Sequence, residues 1–406
     1  MAADEQGVQA QEFHYFDYAA TAPLCEEAAL AMAPYLVPGV ANLQVGGNAN
    51  ALYTAGREAF AAMEQARRTV AACVGAKRPD EVVFAAGATE ADNAAMFGLG
   101  SAALAKRKQQ GRPPAQPHLI TTALEHEAVL QPCKRLEQHG WRVTRLNPTA
   151  EGFVTPSALQ QALCEDTLVV SVQLANAEVG SIQPVAELAQ AAHKAGAVFH
   201  TDATQALGKI PVDVRGLGVD AASFSAHKIG GPKGIGALYV AARTPFDAYL
   251  TGGGQEGGKR SGTQNVCGMA GFAAAAVAAT ENIREEQVRL ARLRDRLYAG
   301  LTALPGVRAT VPQAPGSGAF LPNIVHVLVA GVESETLILR LDKLGFCVSG
   351  GSACATHSLE PSHVLTALGV PGDAARGALR CSFGRYTTEA HVDALVQAVQ
   401  QALQWD

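Results

Sequence analysis

Residues 220–236 read DAASFSAHKIGGPKGIG. The apolar run Ala221-Ala222-Ser223-Phe224 breaks at Ser225-Ala226-His227-Lys228. Glycines at 230, 231, 234 and 236 follow, and a second apolar run resumes from Ala237 to Val240. The pattern is strand, polar turn, strand, with one lysine at the exit of the first strand. A lysine beside a buried edge can serve as a Schiff-base amine, because desolvation lowers its pKa and frees its lone pair. Taken alone, a solvated loop lysine is the commoner case. Its neighbours decide.

Upstream, apolar runs alternate with helical patterns. Strands are expected at Glu81–Phe84, His118–Thr121, Leu168–Leu174 and Val198–Thr201. Helices are expected over Thr54–Val74, from Glu90, from Glu127 and over Val185–Ala195, with a loop at GVANLQVGGN, residues 39–48. Such alternation implies right-handed crossovers and an α/β fold with a mostly parallel central sheet, covered on both faces. In these sheets the ligand crevice lies beyond the carboxyl ends of the strands. The residues at those exits are Gly87-Ala88-Thr89, Glu125-His126, Asn176, Asp202 and Ser225 with His227 and Lys228.

After Gly262 the character changes. One long helix is expected over Gly268–Leu304, passing from alanine-rich to charged. Strands then follow at Ile324–Val329, Phe346–Val348 and Ala378–Phe383, with helices at Ser334–Leu344, Pro361–Leu368 and Thr388–Leu403. This order suggests a smaller α+β domain beside the crevice. A length of 406 residues exceeds one ordinary core. Charged residues are only 17%, below the roughly 25% of average proteins, which argues against disorder. The net charge of −5 is spread without a basic stripe, so neither nucleic acid nor a membrane surface is an expected partner. The apolar run Val266–Ala279 is too short to span a bilayer and reads as a buried helix. The N-terminus has no signal or transit character. Eight scattered cysteines without a C-x-x-C pair point away from a disulfide framework or tight zinc site and toward a reducing cytoplasm.

Each candidate has a functional and an ordinary reading. Ala88 and Thr89 open a helix whose free N–H groups suit a phosphate, or Thr89 is an N-cap. Asp202 can hold a heteroaromatic nitrogen protonated, as a pyridoxal phosphate (PLP) ring requires. Gln205 is within reach of a ring hydroxyl, and Lys228 lies 26 positions after Asp202. A metal or nucleotide carboxylate is the competing reading, without companion ligands or a Gly-x-Gly-x-x-Gly fingerprint. His126 can stack on a ring and carry protons near neutral pH, or be a structural histidine capped by Glu125 or Glu127. Cys354 lies in a glycine- and serine-rich loop, VSGGSACATHS, without apolar periodicity. That suits a mobile nucleophile better than a core thiol. Arg380 can grip a substrate carboxylate, or pair with a neighbouring acid.

Together these residues resemble the cysteine desulfurases, PLP enzymes of the aminotransferase-like fold (fold type I). The resemblance rests on YFDYAATAPL, GATEADN, EHEAVL, LANAEVG, HTDATQALGKIPVDV, SAHKIGGPKGIGALYV, GGGQEGGKRSGT, GSACATHSLEPSHVL and ALRCSFGRYTTE. These run in family order from about residue 15 to 390. The resemblance implies Lys228 as the cofactor's Schiff-base lysine, Asp202 on the pyridine nitrogen, Gln205 on the ring hydroxyl and His126 over the ring. It implies a phosphate held by Ala88, Thr89, Ser225 and His227, with Thr263 arriving from the partner subunit of a homodimer. Asn176 and Arg380 would hold the carboxylate of L-cysteine, and Cys354 would take the sulfur as a persulfide for a sulfur-acceptor protein, such as an iron–sulfur scaffold. GSACATHSLEPS matches the branch with a long catalytic loop. A large PLP-binding domain is then expected over residues 23–270. A small domain carrying the cysteine loop is expected over 1–22 with 271–406.

Departures from the family pattern are Ala177, Thr204, Ala226, Ala49 and the Gly257-Gly258-Lys259 turn, which bears on dimer contacts. Members that dock a scaffold often continue past the position where this sequence ends, Asp406. Selenocysteine lyase shares the same site and is the alternative activity. A PLP-free partner subunit of the same fold is a third reading, opposed by the presence of both Lys228 and Asp202.

Overall fold

The computed structural model describes residues 13–351 and 362–405. Its strands are β1 (His14–Tyr15), β2 (Val82–Ala85), β3 (His118–Thr122), β4 (Arg142–Leu146), β5 (Thr167–Ser171), β6 (Val198–Asp202), β7 (Ala221–Ser225), β8 (Gly236–Val240), β9 (Val307–Ala309), β10 (Ile324–Val329), β11 (Phe346–Cys347) and β12 (Ala378–Ser382). Seven of them form the central sheet in the order β2-β8-β7-β6-β5-β3-β4. The pairs β3–β4, β3–β5, β5–β6 and β6–β7 are parallel. Only β8 runs against its neighbours, pairing antiparallel with β7 and with β2. That reversal follows from the short glycine-rich turn after Lys228, which leaves no room for a crossover helix.

The inner strands are buried along their length, except at Val198, the first residue of β6, because both faces are covered, and alternate residues serve the two sides. Ile120, Val170, Ala222 and Tyr239 pack into one apolar cluster with the helices Thr54–Cys73, Val185–Lys194 and Val266–Thr280. Leu119, Val169, Ala221 and Leu238 pack on the opposite face with the helices Ala88–Gln109 and Glu127–Gln138. A further cluster joins Phe16 and Tyr18 to Leu290, Leu293 and Leu297, to β10 and β12, and to the helix Glu389–Ala402. The start of the described chain thus packs with its end, and β1 pairs with β11.

Three sequence expectations are corrected, and one strand was missed. β4 had no expected counterpart: it is an edge strand whose Arg142 is exposed, so its apolar pattern is weak. β5 ends at Ser171, not Leu174, although Val172 and Leu174 still donate backbone bonds to His200 and Asp202. The helix expected over 268–304 is two helices, Val266–Thr280 and Ile283–Thr302, bent by 71°. Asn282 leaves the helical region (φ −116°, ψ 33°), and the break lets the apolar half enter one core and the amphipathic half another. Finally, the expected loop at 39–48 contains a 3-10 turn, Val40–Asn42, and a short helix, Leu43–Gly46. No single described helix is long and apolar enough to cross a membrane.

Candidate active site

The strand exits open into one cavity of about 650 Å³. Of the candidates, Ala88, Thr89, His126, Asn176, Asp202, Gln205, Ser225, His227, Lys228 and Arg380 all line it. Thr263 is exposed and lies outside this lining. Cys354 lies outside the described residues; Gly351 and Ser362 bracket its segment.

Lys228 closes a single 3-10 turn, Ala226–Lys228, directly after β7. Its amine donates to the carbonyl oxygens of Ala19 at 2.5 Å and Ala20 at 2.8 Å. Gln205 donates to the same Ala19 carbonyl at 3.0 Å, and His227 Nδ1 lies 3.1 Å from Thr21 Oγ1. The AAT stretch at 19–21 is therefore part of the site. Below the turn, buried Lys209 donates to the Lys228 carbonyl at 2.7 Å, and burial pulls its pKa down to about 8.

Asp202 ends β6 with 8% of its surface exposed, and its Oδ1 accepts the Thr204 N–H at 2.9 Å. His126 caps the helix Glu127–Gln138, its Nδ1 accepting the Ala128 N–H at 3.1 Å. In the neutral ring the proton therefore sits on Nε2. Burial pushes the His126 pKa down, with Lys228 adding to the effect against the pull of Asp202. Burial likewise depresses His227, to about 4.

The helix Ala88–Gln109 starts at the exit of β2, and its first backbone bond within the helix is Ala91 N–H to Gly87. The N–H groups of residues 88–90 precede that ladder, as at any helix start. β8 passes close by: a Cβ on Gly236 would lie 2.7 Å from Gly87 Cα and 2.5 Å from the Phe224 carbonyl oxygen. Glycine is required there for the strand to support the turn. A Cβ on Gly87 itself would meet nothing within 4 Å, so the turn faces open space.

Arg380 is buried in β12, donating from Nη2 to Asp17 Oδ1 at 2.8 Å and from Nη1 to the Ala177 carbonyl at 3.1 Å. Asn176 uses Oδ1 to accept the N–H groups of Glu178 and Val179, both at 2.9 Å, and donates from Nδ2 to Leu124 at 3.2 Å. Three contributors were missed from sequence: Asp17, Glu178 and His363, of which the last two line the cavity, as does the strand-exit residue Glu125. All three lie inside quoted motifs but carry no periodic or spacing signal. His363 Nε2 sits 2.9 Å from the Glu125 carbonyl. Glu125 is fully buried, and burial pushes its carboxyl up to about 8.

These groups fit PLP. An amine, a carboxylate at a strand end, a helix start with a threonine, and the hydroxyl of Ser225 meet an aldehyde, a ring nitrogen and a phosphate in kind. Buried oxygens on the cavity wall, Glu125 Oε2 and Thr204 Oγ1, have no protein partner, as expected where a polar ligand belongs. Among the described residues no cluster of His, Cys, Asp and Glu could hold a metal ion.

Residues 14–395 match the aminotransferase class-V family, and the chain belongs to that family of PLP enzymes. It is 41% identical to the cysteine desulfurase IscS of Dictyoglomus turgidum over 96% of this chain and 94% of that protein. Among solved structures, a NifS-like protein superposes with a TM-score of 0.85 at 34% identity, covering 97% of this chain and 99% of that one. SspA in complex with cysteine gives 0.76 at 30% identity over 92% and 100%.

Proposed function

We infer that this protein is a PLP-dependent cysteine desulfurase: it takes L-cysteine, releases L-alanine and moves the sulfur to Cys354 for delivery to an acceptor. The observation that carries this reading is the convergence of Lys228, Asp202 and His126 on one cavity whose wall also holds Glu178, the carboxyl that abuts both ends of the Cys354 segment.

When bound, PLP supplies an electron sink for the charge left at the substrate Cα. Lys228 is assigned its attachment, Asp202 the ring nitrogen, Gln205 the ring hydroxyl, and Ala88, Thr89, Ser225 and His227 the phosphate. Arg380 and Asn176 hold the substrate carboxylate. His126 would lie over the ring and could hold or pass a proton at Nε2, with burial pushing its pKa down. The Cys354 thiolate attacks the substrate sulfur and a sulfur–sulfur bond forms on Cys354; the carbon–sulfur bond breaks with its electron pair left on the substrate carbon, which takes up a proton to give alanine. The sulfur then passes to an acceptor thiol, on an iron–sulfur scaffold or another sulfur carrier.

The working domain division is a large unit over 23–270 and a small one, 1–22 with 271–406, that brings the cysteine segment to the cofactor. A homodimer is proposed, with Thr263 completing the phosphate site of the partner subunit. Its support is the exposure of Thr263 away from its own cavity, together with exposed apolar side chains at Leu30, Leu36, Val40, Leu52 and Phe60. A reducing cytoplasm is proposed as its compartment, in keeping with seven described cysteines that are all free thiols.

Borohydride reduction followed by peptide mapping tests the assignment. The cofactor should be trapped on the Lys228 peptide, and L-cysteine with a thiol reductant, which reduces the persulfide, should yield alanine and sulfide in equal amounts. Trapping elsewhere, or cysteine consumption without alanine, overturns it.

A further inference from the structure

β10 and β12 pair antiparallel, with His326 directly opposite Arg380. Directly opposed residues in such a pair share one face of the sheet, within side-chain reach. Both are buried, at 1% and 2% exposure. Asp17 and Ala177 hold the two terminal nitrogens of Arg380, while its Nε has no protein partner. His326 Nδ1 lies 2.6 Å from Thr310 Oγ1, while its Nε2 has no protein partner. A ring nitrogen and a guanidinium N–H, both buried and unpaired at opposed positions, call for an explanation.

The protonation state of the ring supplies one. Burial, with the cation of Arg380 next, pushes the His326 pKa down to about 3, so the ring is neutral. A guanidinium across the strand favours the tautomer whose lone pair lies at Nε2, with Nδ1–H donating to Thr310 Oγ1. Nε2 is then an acceptor beside an unmatched donor.

We propose that His326 is a positioning residue for Arg380: Nε2 accepts the Nε–H of the guanidinium through one bridging water. With Asp17 and Ala177 at the fork's tips, this third hold fixes its plane toward the substrate carboxylate. The inference rests on the reading that Arg380 takes that carboxylate.

The test uses holoenzyme and titrates cofactor absorbance with two amines, L-alanine, which has the carboxylate, and ethylamine, which lacks it. His326→Leu should weaken L-alanine by about tenfold, the effect of losing one hydrogen bond to a charged group, and leave ethylamine within about twofold. His326→Gln, which keeps an acceptor, should recover most of the loss. Unchanged L-alanine binding, or equal weakening of both amines, overturns the proposal. If His326→Leu does not fold, Thr310→Val decides. It removes the partner of Nδ1, and should weaken L-alanine severalfold while sparing ethylamine; no selective change overturns the proposal. Arg380→Gln separates the two readings. If it weakens both amines equally, the carboxylate role of Arg380 has failed. If it is selective for L-alanine and His326→Leu is not, only the role of His326 has failed.

Discussion

The hydroxyl of Ser362 sits 2.7 Å from Oε2 and 2.9 Å from Oε1 of Glu178, donating its single proton to that carboxyl. On the other side, a Cβ on Gly351 would stand 3.2 Å from Glu178 Oε2. The residues that bracket the Cys354 segment therefore meet at one buried side chain, itself set by the Asn176 turn. Burial pushes the Glu178 pKa up, while the Ser362 hydroxyl, Arg380 and His363 oppose it. Ser362→Ala should cost about 1–3 kcal/mol of stability, because the buried carboxyl loses its donor. Urea denaturation reads this, and an unchanged midpoint would mean that the contact carries no weight.

Glu125 sets a pH dependence of known sign. Its folded pKa, about 8, lies above the ordinary 4.5. The folded state therefore binds the proton more tightly, and this stabilisation is complete below about 4.5 and is lost as pH rises through 8. Glu125→Gln mimics the protonated acid. It should match the parent near pH 5 and exceed it at pH 8.5 by about 1–3 kcal/mol. Denaturation curves at the two pH values check this; a variant that is equally destabilised at both contradicts it.

Gly236 supports the turn before the helix Ala88–Gln109 by close approach. Gly236→Ala drives a methyl into Gly87 and the Phe224 carbonyl, an overpacking that should cost about 1–3 kcal/mol. The displaced turn should also release PLP during dialysis faster than the parent protein does, as followed by cofactor absorbance. Normal retention would show that the turn tolerates the shift.

The strand exits were legible because a parallel sheet gathers them at one edge, so His126, Asp202 and Lys228 could be grouped without coordinates. The same logic is blind to partners brought in by tertiary packing. Asp17 reaches Arg380 across 363 residues of chain, and nothing local to YFDYAATAPL marks it as an ion-pair partner. Arg380 lines the cavity while paired with an acid, Asp17, as the ordinary reading of it expects. His326 reads in sequence as one polar interruption of a buried strand, and only the β10–β12 register sets it opposite Arg380. β4 was hidden because an edge strand can expose Arg142 without cost. Of the other cysteines, Cys25, Cys133 and Cys381 are buried. Cys164 differs: burial raises its pKa, but Thr167, the Asp166 backbone and Arg142, whose Nη2 lies 2.8 Å from the sulfur, bring it below the usual value.

The central claim is that the sulfur of L-cysteine moves to Cys354. The most direct measurement compares the parent with Cys354→Ala for sulfide and alanine release from L-cysteine in the presence of a thiol reductant. It is paired with mass analysis of the Cys354 peptide after cysteine alone. The expected result is one added sulfur on that peptide in the parent, with sulfide and alanine falling to background in Cys354→Ala while PLP stays attached at Lys228. Full sulfide release by Cys354→Ala would contradict the assignment.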